Sequence, residues 1–332
     1  MNATSLEEYA ERFRSLYVDH DSARPRPHKP VMLLSVLTLA ETGSLLENRI
    51  TYSPDLLEVF AKFFEAVREG NDRRTPFNPF FYLRSDRFWH LSPQPGQDPV
   101  LKATRSIRGP GQLVEMVSHA SLDEALFGLL ADPASREVLR LALIDRYFPN
   151  RKLEVLGICA EERAIGAMEH EIDAGRKDHV AKVADAVRDA AFTRLVRRVY
   201  DYTCAMCGLR FVCDDVILVD ATHLIPFSES RDDSPANGMA LCKNHHWLMD
   251  RRLIAPGPGR GRDYDRPVWH VSPLLDIRLE AHRSCVEHRD RSVLIPRDAR
   301  YRPAPKALDW RIERLRQWES PERPESSATG TL

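Results

Sequence analysis

Two short pairs of residues constrain this chain more than anything else in it: Cys204-Ala-Met-Cys207, followed by Gly208, and Cys242-Lys-Asn-His245. A two-residue gap lets both side chains of a tight turn face one ion. Two such pairs make the closed, four-ligand tetrahedral set that structural zinc prefers. Gly208 suits the positive φ that such a turn needs. Buried cysteines that merely pack are the plain alternative, but paired spacing is a metal signature more than a packing one. Cys213 stands between the pairs as a substitute ligand, while Cys159 and Cys285 are isolated. Six Cys in 332 residues do not make a disulfide scaffold. The acidic, amphipathic N-terminus does not read as a secretory signal, so the expected compartment is a reducing cytoplasm, where clustered Cys bind metal.

Between the pairs lies Val219-Asp220-Ala221-Thr222-His223-Leu224-Ile225-Pro226, whose alternation of apolar and polar residues predicts a strand. A polar loop follows (Ser228 to Pro235), then Asn237-Gly238-Met239-Ala240-Leu241. The second pair ends in the doublet His245-His246 and runs into a helix, Trp247 to Asp250. With His223, Asn237 and His246 in this order, the region resembles the HNH nucleases, the ββα-metal family. The resemblance spans about residues 188 to 256 and includes the lead-in Phe192-x-x-x-Val196-x-x-x-Tyr200-x-x-x-Cys204.

That resemblance implies hydrolysis of phosphodiester bonds in DNA. The reaction needs a base to activate water and a cation to stabilise charge on the transition state and the leaving oxygen. Neutral imidazole suits the base near pH 7, which is the role expected of His223. By resemblance, Asn237 orients His223 and the loop facing it, and His246 is a ligand of a catalytic Mg²⁺ or Mn²⁺. Zinc on Cys204, Cys207, Cys242 and His245 would fix the helix start and present His246 to the cleft. One position departs from the family pattern. Many members carry an acidic residue or His just before the base, where this chain has Thr222. Asp220 is the nearest carboxylate and the expected second ligand of the catalytic metal. Strand alternation puts it with Thr222 on the face opposite His223, and a salt-bridged carboxylate is the alternative reading. Asp250 is expected to brace the helix end.

The first half of the chain has a different texture. Leu6, Tyr9, Phe13, Leu16 and Tyr17 fall at helical spacing over Leu6 to Tyr17. Three Pro in Pro25-Arg26-Pro27-His28-Lys29-Pro30 break the helix. An apolar helix from Val31 to Thr42 stops at Gly43, and another runs from Pro54 to Gly70. The aromatic stretch Phe77 to Leu91 predicts one or two strands turning near Ser85-Asp86. Leu113 to Val117, Leu122 to Leu130 and Ser135 to Tyr147 read as helical. Basic residues cluster in irregular segments, as phosphate positioning requires.

This unit resembles the sulfur-binding domain of phosphorothioate-dependent restriction endonucleases. The matching residues are His28-Lys29-Pro30 leading into the apolar helix, Asn78-Pro79-Phe80-Phe81-Tyr82-Leu83 with Asp86 and Trp89, and Leu143 to Pro149. The resemblance implies a shallow apolar cup for the large, soft sulfur of a phosphorothioate. Asn78, Pro79 and Tyr82 would form the cup, with His28, Lys29 and Arg26 as its basic, hydrogen-bonding wall. Lys29 lacks the planar fork of the Arg often found there. Phe80, Phe81 and Trp89 are expected in the core.

The resulting expectation is an α+β protein of two domains. Residues 1–150 form a mixed helical/β reader of modified DNA, 151–186 a helical connector, 187–320 the ββα-metal nuclease with its structural zinc, and 321–332 a disordered tail. Charge supports the division. The first 186 residues carry 24 basic and 28 acidic side chains and the rest carry 24 and 21, for a net −1 overall. Near-neutrality excludes a general polycation but not a local basic face on double-stranded DNA. No apolar run reaches the roughly 18 residues of a membrane span. The expected function is defence by a phosphorothioate-dependent endonuclease. Alternatives are an HNH nuclease reading a modified base or plain sequence, and a non-catalytic DNA-binding protein. A single HNH site cuts one strand at a time, so double-strand cleavage would call for a homodimer or two encounters.

Overall fold

The computed structural model describes residues 3–21, 24–176, 184–213 and 216–317. The expected tail at 321–332, and residues 177–183 of the expected connector, lie outside the described residues. Contacts divide the chain into two units, one of Met1–Ala191 with Val212–Ile217, the other of Phe192–Phe211 with Leu218–Leu332. Both are built from helices and small two-stranded antiparallel sheets, an α+β architecture.

The first unit is organised around the helix His28–Glu41, which is buried on nearly every face from Lys29 to Leu39. Pro30 sits in its first turn, where no intrahelical N–H is needed, and Gly43 just past its end takes a φ of +74°. Its two buried hydroxyls are satisfied within the helix, Ser35 donating to the Val31 carbonyl and Thr38 to that of Leu34. The helix Pro54–Val67 packs against it, N-capped by Ser53, whose hydroxyl accepts from the Leu56 N–H. Helices Ala3–Arg14 and Pro133–Tyr147 pack against each other. The expected connector begins as the helix Lys152–Asp173, whose Val155 and Cys159 enter this same core.

The stretch Phe77 to Leu91 differs from its sequence reading. It opens as a helix, Phe77–Tyr82, continues as a 3-10 turn, Leu83–Asp86, and becomes a strand only at Trp89–Pro93. Pro76 and Pro79 favour the first turn of a helix. The aromatic density reflects deep burial of Phe80, Phe81, Phe88 and Trp89 rather than a pleated strand. The strand's partner is Val117–Leu122, in register Trp89↔Leu122 to Ser92↔His119. That partner was not legible as a strand, since helix was expected at its two ends.

In the second unit, strand Val219–His223 runs antiparallel to Gly238–Cys242, pairing Val219 with Cys242 and His223 with Gly238. Helix Lys243–Asp250 follows at once, completing a ββα unit. A second hairpin, Ile254–Gly259 with Asp263–Val271, packs under helix Pro305–Glu313. Gly238 is where the hairpin meets the helix Asp185–Val199. A Cβ there would stand 2.5 Å from Val196 Cγ2 and 3.1 Å from the Phe192 ring. Val is stiff at χ1, so Gly238→Ala is expected to cost about 1–3 kcal/mol by overpacking. Thermal or denaturant melting would measure the loss.

Candidate functional site

Cys204, Cys207, Cys242 and His245 bring their ligand atoms within 4.8 Å of one another. His245 Nδ1 lies 3.4 Å from Cys204 Sγ and 3.2 Å from Cys242 Sγ. Zinc–ligand bonds of ordinary length around a tetrahedron give an N–S edge of about 3.6 Å, so the donor set fits zinc in kind and in spacing. The electrostatics agree. A hydrogen bond from Cys242, aided by His245, holds the Cys204 thiol far below its ordinary range, and the same contact pushes Cys242 up. Thiolates this close cannot all ionise without a cation among them. Gly208 closes the knuckle with a φ of +71°. Cys213 is exposed and is not one of the four.

His223 stands at the end of its strand. Its imidazole lies flat on the Phe192 ring, with centroids 3.9 Å apart and planes 4° apart. Its Nε2 is 2.8 Å from Asp233 Oδ1, and its carbonyl accepts from Arg311 Nη2 at 2.5 Å. The buried Asn237 does not bond the ring. Its Oδ1 accepts from Ile225 N–H at 2.9 Å, and its Nδ2 donates to the carbonyls of Ile225 and Asp232, each at 2.9 Å. Asn237 therefore clips together both ends of the loop that carries Asp233.

The other sequence-named residues form a second group. Asp220 Oδ2 lies 3.4 Å from His246 Nδ1, and His246 Nε2 lies 3.5 Å from Asp250. Lys243 Nζ contacts both Asp220 oxygens at 2.6 Å, and Arg197 stands 3.5 Å away. Burial alone would raise the Asp220 pKa, but hydrogen bonds from Lys243 and His246 hold it below the ordinary carboxylate range. Asp220 and His246 are thus brought together, and His223 is paired separately with Asp233.

In the first unit all six sequence-named residues, Arg26, His28, Lys29, Asn78, Pro79 and Tyr82, line one cavity of about 750 Å³. Its wall is nearly charge-balanced. Lys29 Nζ is 2.6 Å from Asp86 and 2.8 Å from the Ser85 hydroxyl. Arg26 and Arg24 both pair with Asp72, whose carboxylate is fully buried, at 2.8 and 2.5 Å. Burial opposes the Asp72 charge, but hydrogen bonds from Arg24, the Glu69 N–H and Arg26, with the charge of Arg24, together outweigh it and lower its pKa. His28 Nε2 meets the Arg73 carbonyl at 2.8 Å, and burial lowers its pKa below the usual imidazole value. Pro79 is buried and Tyr82 half-buried at the wall. Phe80, Phe81 and Trp89 lie in the core.

Sequence reasoning did not name Asp233, Arg311, Tyr17 or Asn71 as site residues. The doublet Asp232-Asp233 within a short polar loop was a usable signal for the first. Arg311, 88 residues from His223, has no local signal. Tyr17 and Asn71 line the cavity together with Arg73.

Comparisons with known proteins follow the same division. Residues 6–157 match the family model described as "ScoMcrA-like, DNA sulfur-binding domain". Residues 204–255 match the HNH endonuclease model. A solved sulfur-binding domain of SprMcrA, complexed with phosphorothioated DNA, aligns at 22% identity over 47% of this chain and 95% of its own, with a TM-score of 0.35. That superposition is too loose to bear on the fold. No curated protein matches the chain. Among the described residues, no helix is long and apolar enough to cross a membrane.

The thiol cluster generates a direct prediction. Cys204→Ser replaces a thiolate by a hydroxyl, a much weaker zinc ligand, so metal analysis should show a loss of bound zinc and the melting temperature should fall. Unchanged zinc content would overturn the ligand assignment. By sequence match, the chain carries in order a region similar to the ScoMcrA-like DNA sulfur-binding domain and a region similar to the HNH endonuclease domain.

Proposed function

We propose that this chain binds phosphorothioated double-stranded DNA through its first unit and hydrolyses nearby phosphodiester bonds at the HNH site, as defence against foreign DNA. The observation that carries the reading is the presence, in one chain and in this order, of a sulfur-binding match over 6–157 and an HNH match over 204–255.

The cavity chemistry supports a soft, weakly hydrated ligand atom. Sulfur in place of a non-bridging phosphate oxygen is larger and loses less on leaving water. A wall of Pro79 and Tyr82 favours it, and the neutral His28 ring adds no competing charge. Lys29 and Arg26, already paired with Asp86 and Asp72, give the wall donors without a strong net field. A field of that kind would attract any phosphate. The balance favours the modified backbone over ordinary DNA, where non-specific affinity grows with each unpaired cation.

At the second site, His223 takes the proton of the attacking water. Asn237 and Asp233 hold the loop and ring in place for that transfer. Asp220 and His246, a hard carboxylate and an imidazole, are donors that suit Mg²⁺ or Mn²⁺. An ion held there supplies positive charge to the transition state and the leaving oxygen. It would compete with Lys243 for the Asp220 carboxylate. The zinc-type cluster anchors the residue next to His246 and has a structural role.

Two measurements test this. The full-length chain should shift a phosphorothioated duplex at least tenfold more tightly than an oxygen control of the same sequence. Equal affinities would remove the sulfur reading and leave a base or sequence reader. His223→Ala should lower cleavage by on the order of 10²–10⁴-fold while leaving that preference intact. Wild-type protein that cuts no DNA with Mn²⁺ would leave only a DNA-binding protein.

A further inference from the structure

Asp233 is the one carboxylate that touches His223 among the hydrogen bonds of the described residues. Its side chain is only 2% exposed, against 20% for His223. A carboxylate accepts hydrogen bonds, so the imidazole donates from Nε2. The neutral ring then carries its lone pair on Nδ1. The ring has little freedom to reverse this. Phe192 stacks on its face, Arg311 grips its backbone carbonyl, and Asn237 ties the neighbouring Asp232 to Ile225.

We infer that Asp233 is a positioning residue that selects the Nε2–H form of His223 and makes Nδ1 the base. The inference rests on the reading of His223 as the group that deprotonates water. In the step it serves, a water proton passes to Nδ1 and the water oxygen forms the new P–O bond. The leaving oxygen departs with the electron pair of the broken P–O bond and takes a proton from solvent. The imidazolium formed on the way is balanced by the Asp233 carboxylate, as in other His–carboxylate pairs. Arg311 engages the His223 backbone carbonyl rather than the ring. Lys306, from the same helix, stands 3.8 Å from Asp232.

The test uses full-length protein with Mn²⁺ and phosphorothioated duplex. The Asn of Asp233→Asn can offer an N–H to Nε2, which favours the Nδ1–H form and blocks the base. The expected result is a fall in kcat of about 10²–10⁴-fold with KM unchanged, measured beside His223→Ala. An inactive His223→Ala with Asp233→Asn at wild-type kcat would overturn the positioning role and leave the base reading standing. A fully active His223→Ala would instead overturn the base reading. Should Asp233→Asn fail to fold, ¹⁵N-histidine NMR of the wild-type chain decides. A His223 signal of the Nε2–H form supports the inference, and the Nδ1–H form overturns it.

Discussion

The second unit depends on the meeting of Cys204, Cys207, Cys242 and His245. These residues come from a knuckle, a strand end and a helix start, and their ligand atoms converge within 4.8 Å. A cation there would compensate thiolates that otherwise cannot ionise together. It would also tie the strand Gly238–Cys242 to the helix Lys243–Asp250, next to His246. A unit with such short strands has little hairpin stability of its own. The metal-type cluster and the buried Asn237 amide supply what the sheet does not.

The two sites handle charge in opposite ways. In the first unit, cations are paired with buried carboxylates: Lys29 with Asp86, and Arg24 and Arg26 with the one carboxylate of Asp72. The cavity is left with donors but a weak net field, which suits a ligand distinguished by softness rather than charge. In the second unit, carboxylates stand beside imidazoles, Asp233 on His223 and Asp220 on His246. Such pairs hold a ring in one orientation and favour its interaction with a proton or a cation. The near-zero net charge of the whole chain is consistent with these local pairings.

Local rules made much of this legible. The helices around Val31–Leu39 and Pro54–Val67 follow from apolar spacing bounded by Pro, Ser and Gly. The paired Cys and His spacing pointed to one ion. The six residues named for the cup and its wall come from two short segments, 26–29 and 78–82, and share one cavity. The strand Val117–Leu122 was not legible, because a six-residue segment shows itself only through its partner at Trp89–Pro93. The aromatic run from Phe77 was misleading, since burial of aromatics does not distinguish a helix from a strand.

Short-range patterns in the chain were enough to point to the two modules, to the zinc-type ligand set and to His223, Asn237 and His246 as candidates, since each rests on spacing or order. Long-range packing decided what those residues touch. Asn237 grips the loop and leaves the ring to Asp233, Phe192 lies under His223, and Arg311 reaches its carbonyl from a helix 88 residues away. The physical reason is that a hydrogen bond or a stacked ring needs a distance and an angle. Spacing sets these only within a turn, a strand or a helix, and beyond that they follow from how the elements pack.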